Sequence, residues 1–254
     1  MLNRVRKVFA LVITGTALIV APPLIAETLI GSHFDSRVII GFKTNPEAVN
    51  AYLPDGFSSI PLPQGPMKGS NLLIGIEDRL LGRDAEGNAN DPSTQMGFPL
   101  LTLAKGEAGV RMFGIRVYTS VDGYDPLGNS VVAQISRTTS ISGPANEGRA
   151  RSDAWSVSPV TGGTFEASLN FTSGKRSWVE SELTIYSNTD PDRYLISRYQ
   201  QLVDFATSSA IGKPLAGEFS YTNSIPELEG LFDGNEEVIA IMDVPIYVRE
   251  MFKP

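Results

Sequence analysis

The sequence predicts a mainly β fold of the α+β class, built as one domain with two accessory helices. Three observations carry this. β-rich segments separated by Gly, Pro, Asn and Asp recur along the chain. One of them alternates apolar and polar residues, as a strand with one dry face must. Helix signals, by contrast, are confined to two short stretches.

Arg37-Val-Ile-Ile-Gly-Phe-Lys43 reads as a short apolar strand that runs into a capped helix of about two turns. Thr44 and Glu47 have capping-box spacing, Pro46 suits the first helical turn, and Pro54 in a Leu-Pro-Asp-Gly turn ends it. Further strands are expected at Val110 to Tyr118, Val131 to Ile141, Thr164 to Phe171, Trp178 to Tyr186 and Val238 to Val248. The alternation is clearest where Phe165, Ala167, Leu169 and Phe171 interleave with Glu166, Ser168 and Asn170. A second helix is expected over Pro191 to Thr207, capped by Thr189 or Asp190. Its apolar face would comprise Leu195, Tyr199, Leu202, Val203 and Ala206. Gly82 to Thr94 and Gly143 to Ser152 read as long loops.

The first 26 residues have the pattern of an export signal. Arg4, Arg6 and Lys7 precede an uncharged run from Val8 to Ala21, Pro22-Pro23 breaks it, and Ala26 suits cleavage. The expected domain is therefore 27–254, in a periplasmic or secreted protein. Contact with a membrane would come only through an uncleaved leader. Removing the leader takes away three of the 21 Lys and Arg and none of the 28 Asp and Glu, which leaves a net charge of −10. So acidic a body, with no clustered Lys and Arg, disfavours nucleic acid as a partner.

Cysteine is absent, which excludes disulfides, thiol nucleophiles and Cys metal sites. His33 is the only histidine and reads as an exposed residue near a chain end. A Ser–His–Asp triad or a multi-histidine metal site therefore has no support. No Walker loop, Gly-x-Gly-x-x-Gly or Ser-x-x-Lys arrangement is present, so neither a metal nor a nucleotide cofactor is expected. Lysine and carboxylate chemistry remains open.

The string from Arg37 to Gly56 resembles the opening of the acetoacetate decarboxylase-like superfamily, and Glu237 to Val248 looks like its closing strand. The resemblance implies a mainly antiparallel β-barrel or cone around a ligand cavity, in proteins that often form homo-oligomers. In that family a lysine in a Pro-Lys-Lys element attacks a carbonyl to form a Schiff base, its proton affinity lowered by its neighbour. The counterpart here, Gly123-Tyr-Asp-Pro-Leu-Gly-Asn-Ser130, keeps Tyr124 and Pro126 but has neither lysine. No Lys-Lys pair occurs anywhere in the chain.

By resemblance, Arg37 stands near an arginine that anchors a substrate carboxylate, and Glu86 matches an acidic loop residue. By strand periodicity, Arg116 and Tyr118 share a face with Val110, Met112 and Gly114. If inward, they could grip and orient a carboxylate, with Tyr124 assisting. Lys105, beside the turn at Gly106, is the one substitute nucleophile that an apolar run could carry inward. Lys43, Glu180 and Glu182 read as solvated. Three functions fit: a binder of a small oxo-acid, carboxylate or apolar-polar ligand without Schiff-base chemistry, a lyase on a β-keto acid through a displaced lysine, or an envelope structural protein without a ligand.

Overall fold

A computed structural model describes residues 27–144 and 148–254. The expected leader at 1–26 lies outside the described residues, among which no helix is long and apolar enough to cross a membrane. Twelve strands run in chain order as β1 (Thr28–Lys43), β2 (Ser58–Ser59), β3 (Leu72–Arg83), β4 (Gln95–Gly106), β5 (Gly109–Thr119) and β6 (Ser130–Ser142), then β7 (Ala150–Pro159), β8 (Phe165–Thr172), β9 (Ser177–Ser187), β10 (Tyr194–Ser208), β11 (Gly217–Asn223) and β12 (Glu237–Lys253). Among the described residues the one α-helix, α1, is Pro46–Asn50, and two 3-10 turns lie at Ser209–Ile211 and Pro226–Leu228.

All twelve strands belong to one sheet, in the order β11-β8-β7-β6-β5-β9-β10-β12-β1-β3-β4-β2, and β4 also pairs with β5. That last pairing makes β1, β3, β4, β5, β9, β10 and β12 a closed circuit of hydrogen-bonded neighbours. The sheet is mixed, since β5 runs parallel to both β6 and β9. This corrects the expectation of a mainly antiparallel sheet only at those two short pairings. Both join segments distant in the chain, which turn signals do not reveal.

Strands β6, β7, β8 and β11 leave the circuit and fold over its outer face. Between the two lies the main core, in which Phe165 and Leu169 of β8 and Trp155 of β7 cluster with Val38, Ile40, Ile74, Phe98 and Leu100. Phe165 is fully buried, with ring centroids 4.8 Å from Phe98 and 5.6 Å from Phe232. This packing explains the unbroken apolar run Val38-Ile39-Ile40 in β1. Val38 and Ile40 face that core while Ile39 faces the interior of the circuit, so both sides of the strand are covered.

The second expected helix does not form, because Tyr194–Ser208 is strand β10. Its pairing with β12 slips between Leu202 and Asp204 and again between Phe205 and Thr207. The extra residue lies in β12 at the first slip and in β10 at the second, and before both Leu195, Tyr199 and Val203 stand four residues apart on one strand face, a spacing that also fits a helical stripe. The cap of α1 also differs from expectation. Asn45 accepts from the Glu47 N–H at 3.0 Å, while the Thr44 hydroxyl donates to the Leu231 carbonyl at 2.6 Å. His33, expected at the surface, is buried within β1, because the strand begins at Thr28 and pairs on both sides.

Phe165→Ala should lower unfolding free energy by about 3–5 kcal/mol in urea denaturation, the usual cost of a buried Phe truncation. A loss below about 1 kcal/mol would show that the two layers do not share this core.

Candidate functional site

The interior of the strand circuit holds a cavity of about 320 Å³. Register places its walls in rows. Arg37 pairs with Glu77, and Glu77 with Gly97. Further along, Ile39 pairs with Gly75, against whose Cα Pro99 packs. Beyond those, Gly41 pairs with Leu73, Leu73 with Leu101, and Leu101 with Gly114. The inward glycines permit close approach. A Cβ on Gly114 would meet Leu127 Cδ1 at 2.6 Å, and one on Gly41 would meet Met67 Sδ at 2.9 Å.

One part of the wall is charged, Gln95, Thr119, Ser197 and Gln201 add neutral polar groups, and most of the rest is apolar. Arg37, Arg79 and Arg249 line the cavity with Glu77, and Asp35 lies behind them. All five are less than a tenth exposed. Arg37 donates to Asp35, and its Nη1 is 2.8 Å from Glu77 Oε1. Its guanidinium carbon stands 3.6 Å from the centre of the Tyr247 ring, which in turn stacks on Tyr199. Arg79 is held only loosely, 3.8 Å from both Asp35 and Glu77, with its guanidinium 5.1 Å from the Tyr124 ring.

Formal charge in this cluster is three positive against two negative. Among the described residues, Nε and Nη1 of Arg79 and Nε of Arg249 have no hydrogen-bond partner. Buried guanidinium groups are stable only when paired, so the two carboxylates leave the positive charge of this wall incompletely matched. The titration of its neighbours agrees with that field. Burial pushes the Glu77 carboxyl up, but Arg37, Arg249 and Arg79 outweigh it and hold the group below the usual carboxylate range. Glu77 is thus a fixed charge at neutral pH and no proton donor. Burial, and then Arg249, Arg79 and Arg37, drive the His33 imidazole far down, so it stays neutral.

Of the residues singled out from sequence, Arg37 and Tyr124 line the cavity. Tyr124 is carried by the β5–β6 loop. In that loop Asp125 Oδ1 accepts from the Asn129 and Ser130 N–H groups at 2.9 and 3.0 Å, and Ser187 Oγ donates to the Leu127 carbonyl at 2.6 Å. Arg116 and Tyr118 lie on the opposite face. The β4–β5 register shifts between Leu100 and Leu101, so Met112 faces inward before the bulge and Val117 and Thr119 after it. That slip turns Arg116 and Tyr118 outward, where both bind Glu227, at 2.7 and 2.6 Å. They tie the 3-10 turn at Pro226 to β5 and leave the cavity lining.

Lys105 is exposed at the end of β4, and Glu86 is exposed in the β3–β4 loop. None of the six lysines among the described residues lines the cavity. Missed from sequence were Glu77, Arg79, Tyr247 and Arg249. A signal existed in three pairs at i, i+2, namely Asp35 with Arg37, Glu77 with Arg79 and Tyr247 with Arg249. In a strand, each such pair shares one face. Among the described residues no cluster of His, Asp and Glu could hold a metal ion.

No protein-family model matches the chain, and no curated protein matches it by sequence. Among solved structures it is similar to an acetoacetate decarboxylase-like enzyme from Sphingomonas wittichii RW1, at TM-score 0.54 and 12% identity over 89% of this chain and 90% of that one. It is also similar to the enduracididine biosynthesis enzyme MppR complexed with the condensation product of pyruvate and imidazole 4-carboxaldehyde. That likeness has TM-score 0.53 and 14% identity over 94% of this chain and 90% of that one. MppR complexed with pyruvate matches at TM-score 0.50 and 13% identity, covering 94% and 91%. The chain therefore has the fold of the acetoacetate decarboxylase-like superfamily.

The neutral, buried His33 gives the protein an acid-sensitive term. The unfolded chain protonates this histidine below about pH 6.5 and the folded chain does not, so stability falls by up to about 1.4 kcal/mol per pH unit on acidification. Asp243 acts in the opposite sense. Burial, only partly offset by Arg151, raises its carboxyl to about 6, so protonation favours the fold as pH falls from about 6 towards 4. Comparison with His33→Gln isolates the first term. The stability of the native protein relative to this variant should drop by about 2 kcal/mol between pH 6.5 and 5 in urea titrations. A constant difference would mean that His33 titrates freely.

Proposed function

We propose that this chain binds a small carboxylate inside a β-barrel or cone formed by the seven-strand circuit, without Schiff-base chemistry. On the pattern of its first 26 residues, it does so as an exported protein. The observation that carries this reading is a cavity lined by three buried arginines, whose charge the two neighbouring carboxylates do not match, and, among the described residues, by no lysine. Arg79 and Arg249 line the cavity, and a carboxylate offers the acceptor geometry that a guanidinium matches. Arg37 is already committed to Asp35, Glu77 and the Tyr247 face, and it holds the site's shape. Tyr124 and Tyr199 border the space a polar headgroup would occupy.

The loop matched to the family's lysine element does reach the cavity, but it brings Tyr124, Pro126 and Leu127 there instead of an amine. A Schiff base needs an uncharged amine within reach of the carbonyl carbon, and arginine does not supply one. MppR is complexed with pyruvate, a small oxo-acid, in a fold of this kind. The carboxylate preference assigned here comes from this chain's own arginines.

Arg79→Gln should weaken binding of a carboxylate such as acetoacetate by about 10- to 100-fold in calorimetry, the loss of a charge-assisted hydrogen bond. Stability should change little, because the remaining buried charges are then two against two. Unchanged affinity would remove Arg79 from the binding site. Borohydride added with acetoacetate or pyruvate should leave the protein mass unaltered, whereas a trapped adduct on any lysine would overturn the non-covalent reading.

A further inference from the structure

We infer that the ligand is an amphipathic monocarboxylate whose flexible, unbranched apolar chain, about ten carbons long, occupies the cavity beyond the arginines. This rests on the carboxylate reading above and adds the identity of the other end. The charged residues occupy one part of the wall, and the rows that follow carry Ile39, Leu73, Pro99 and Leu101. At about 30 Å³ for a unit the size of a water molecule, 320 Å³ accommodates about ten such units, well beyond a three- or four-carbon oxo-acid. The length agrees. Met67 packs against Gly41, four residues and about 13 Å along β1 from Arg37.

Methionine placement says what sort of tail fits. The chain contains six methionines, and all five among the described residues line this cavity: Met67, Met96, Met112, Met242 and Met251. They come from β4, β5, β12 and the segment before β3, so no local sequence bias collects them. Unbranched, polarizable thioethers adjust to an apolar partner of variable shape, whereas branched aliphatics specify one fixed surface. Leu, Ile, Val and Pro make up most of the remaining wall, with Gln95, Thr119, Ser197 and Gln201 as neutral polar groups, and among the described residues no charged side chain other than Glu77 and the three arginines lines the cavity. Such a surface suits an alkyl chain with many rotamers better than a compact polar substrate.

The test is calorimetric titration of the full protein with butanoate, hexanoate, octanoate, decanoate, tetradecanoate and 1-decanol. The inference expects affinity to rise by about fourfold per methylene, as burial of each CH₂ requires. It also expects the rise to stop near decanoate and 1-decanol to bind at least tenfold more weakly than decanoate. Location is read separately, by peptide mapping of methionine sulfoxide after mild peroxide treatment. Saturating decanoate should slow oxidation of Met112 and Met242 at least severalfold. If butanoate or acetoacetate binds and chain length has no effect, the tail inference fails while the carboxylate site stands. If 1-decanol equals decanoate, the carboxylate site fails and this inference with it. Binding of no acid overturns both, and binding without methionine protection overturns the proposed location.

Discussion

The pairing of Arg37 with Asp35 and Glu77, inside a closed circuit of strands, is the constraint on which the interior depends. A guanidinium removed from water needs acceptors, and through one register β1 and β3 give Arg37 two carboxylates, leaving its Nε without a partner. Slipping that register by a single residue would turn Glu77 into the hydrophobic core and leave Arg37 without its partner. The polar pair therefore fixes which faces of β1 and β3 point inward, and with them Ile39 and Leu73. The hydrophobic core on the other side, around Phe165, supplies the burial that closes the layers. Stability and the cavity are thus assigned to opposite faces of the same strands.

Spare positive charge follows from the same arrangement. Two carboxylates satisfy Arg37 well and Arg79 poorly, and Arg249 keeps an unpartnered Nε. A fully neutralised cluster would have been an ordinary buried network like the one around Asp153. There Arg137 of β6 and Arg151 of β7 bridge their layer to the circuit, and Arg151 reaches Asp243 at 2.7 Å. The cluster around Asp153 lies between the β6–β7 layer and the circuit, whereas the one around Arg79 faces open volume.

Much of the fold was legible because strand signals are local. Val110–Tyr118, Val131–Ile141 and Trp178–Tyr186 each fall within one residue of an observed strand at both ends, and Phe165, Ala167, Leu169 and Phe171 are buried as their alternation requires. The failures have two causes. Leu195, Tyr199 and Val203 recur every four residues, which suits a strand face and a helix face alike, while a bulge in β5 shifts the side-chain phase by one, so Arg116 and Tyr118 seemed to point inward. A bulge is fixed by pairing with a distant strand, and a single sequence does not display it. The site was only partly legible for a related reason. Arg37 and Tyr124 came from resemblance, while Glu77, Arg79 and Arg249 required knowing that β3 and the end of β12 face the same interior.

The central claim is that the interior of the circuit is an anion site with an apolar extension. The most direct measurement is a crystal structure with 10-bromodecanoate, in which anomalous scattering locates the bromine and the density locates the headgroup. The account predicts a carboxylate within hydrogen-bond distance of Arg79 and Arg249 and bromine among Leu73, Leu101 and Met112. A ligand bound only on the outer surface, with the arginines contacting ordered water alone, would contradict it.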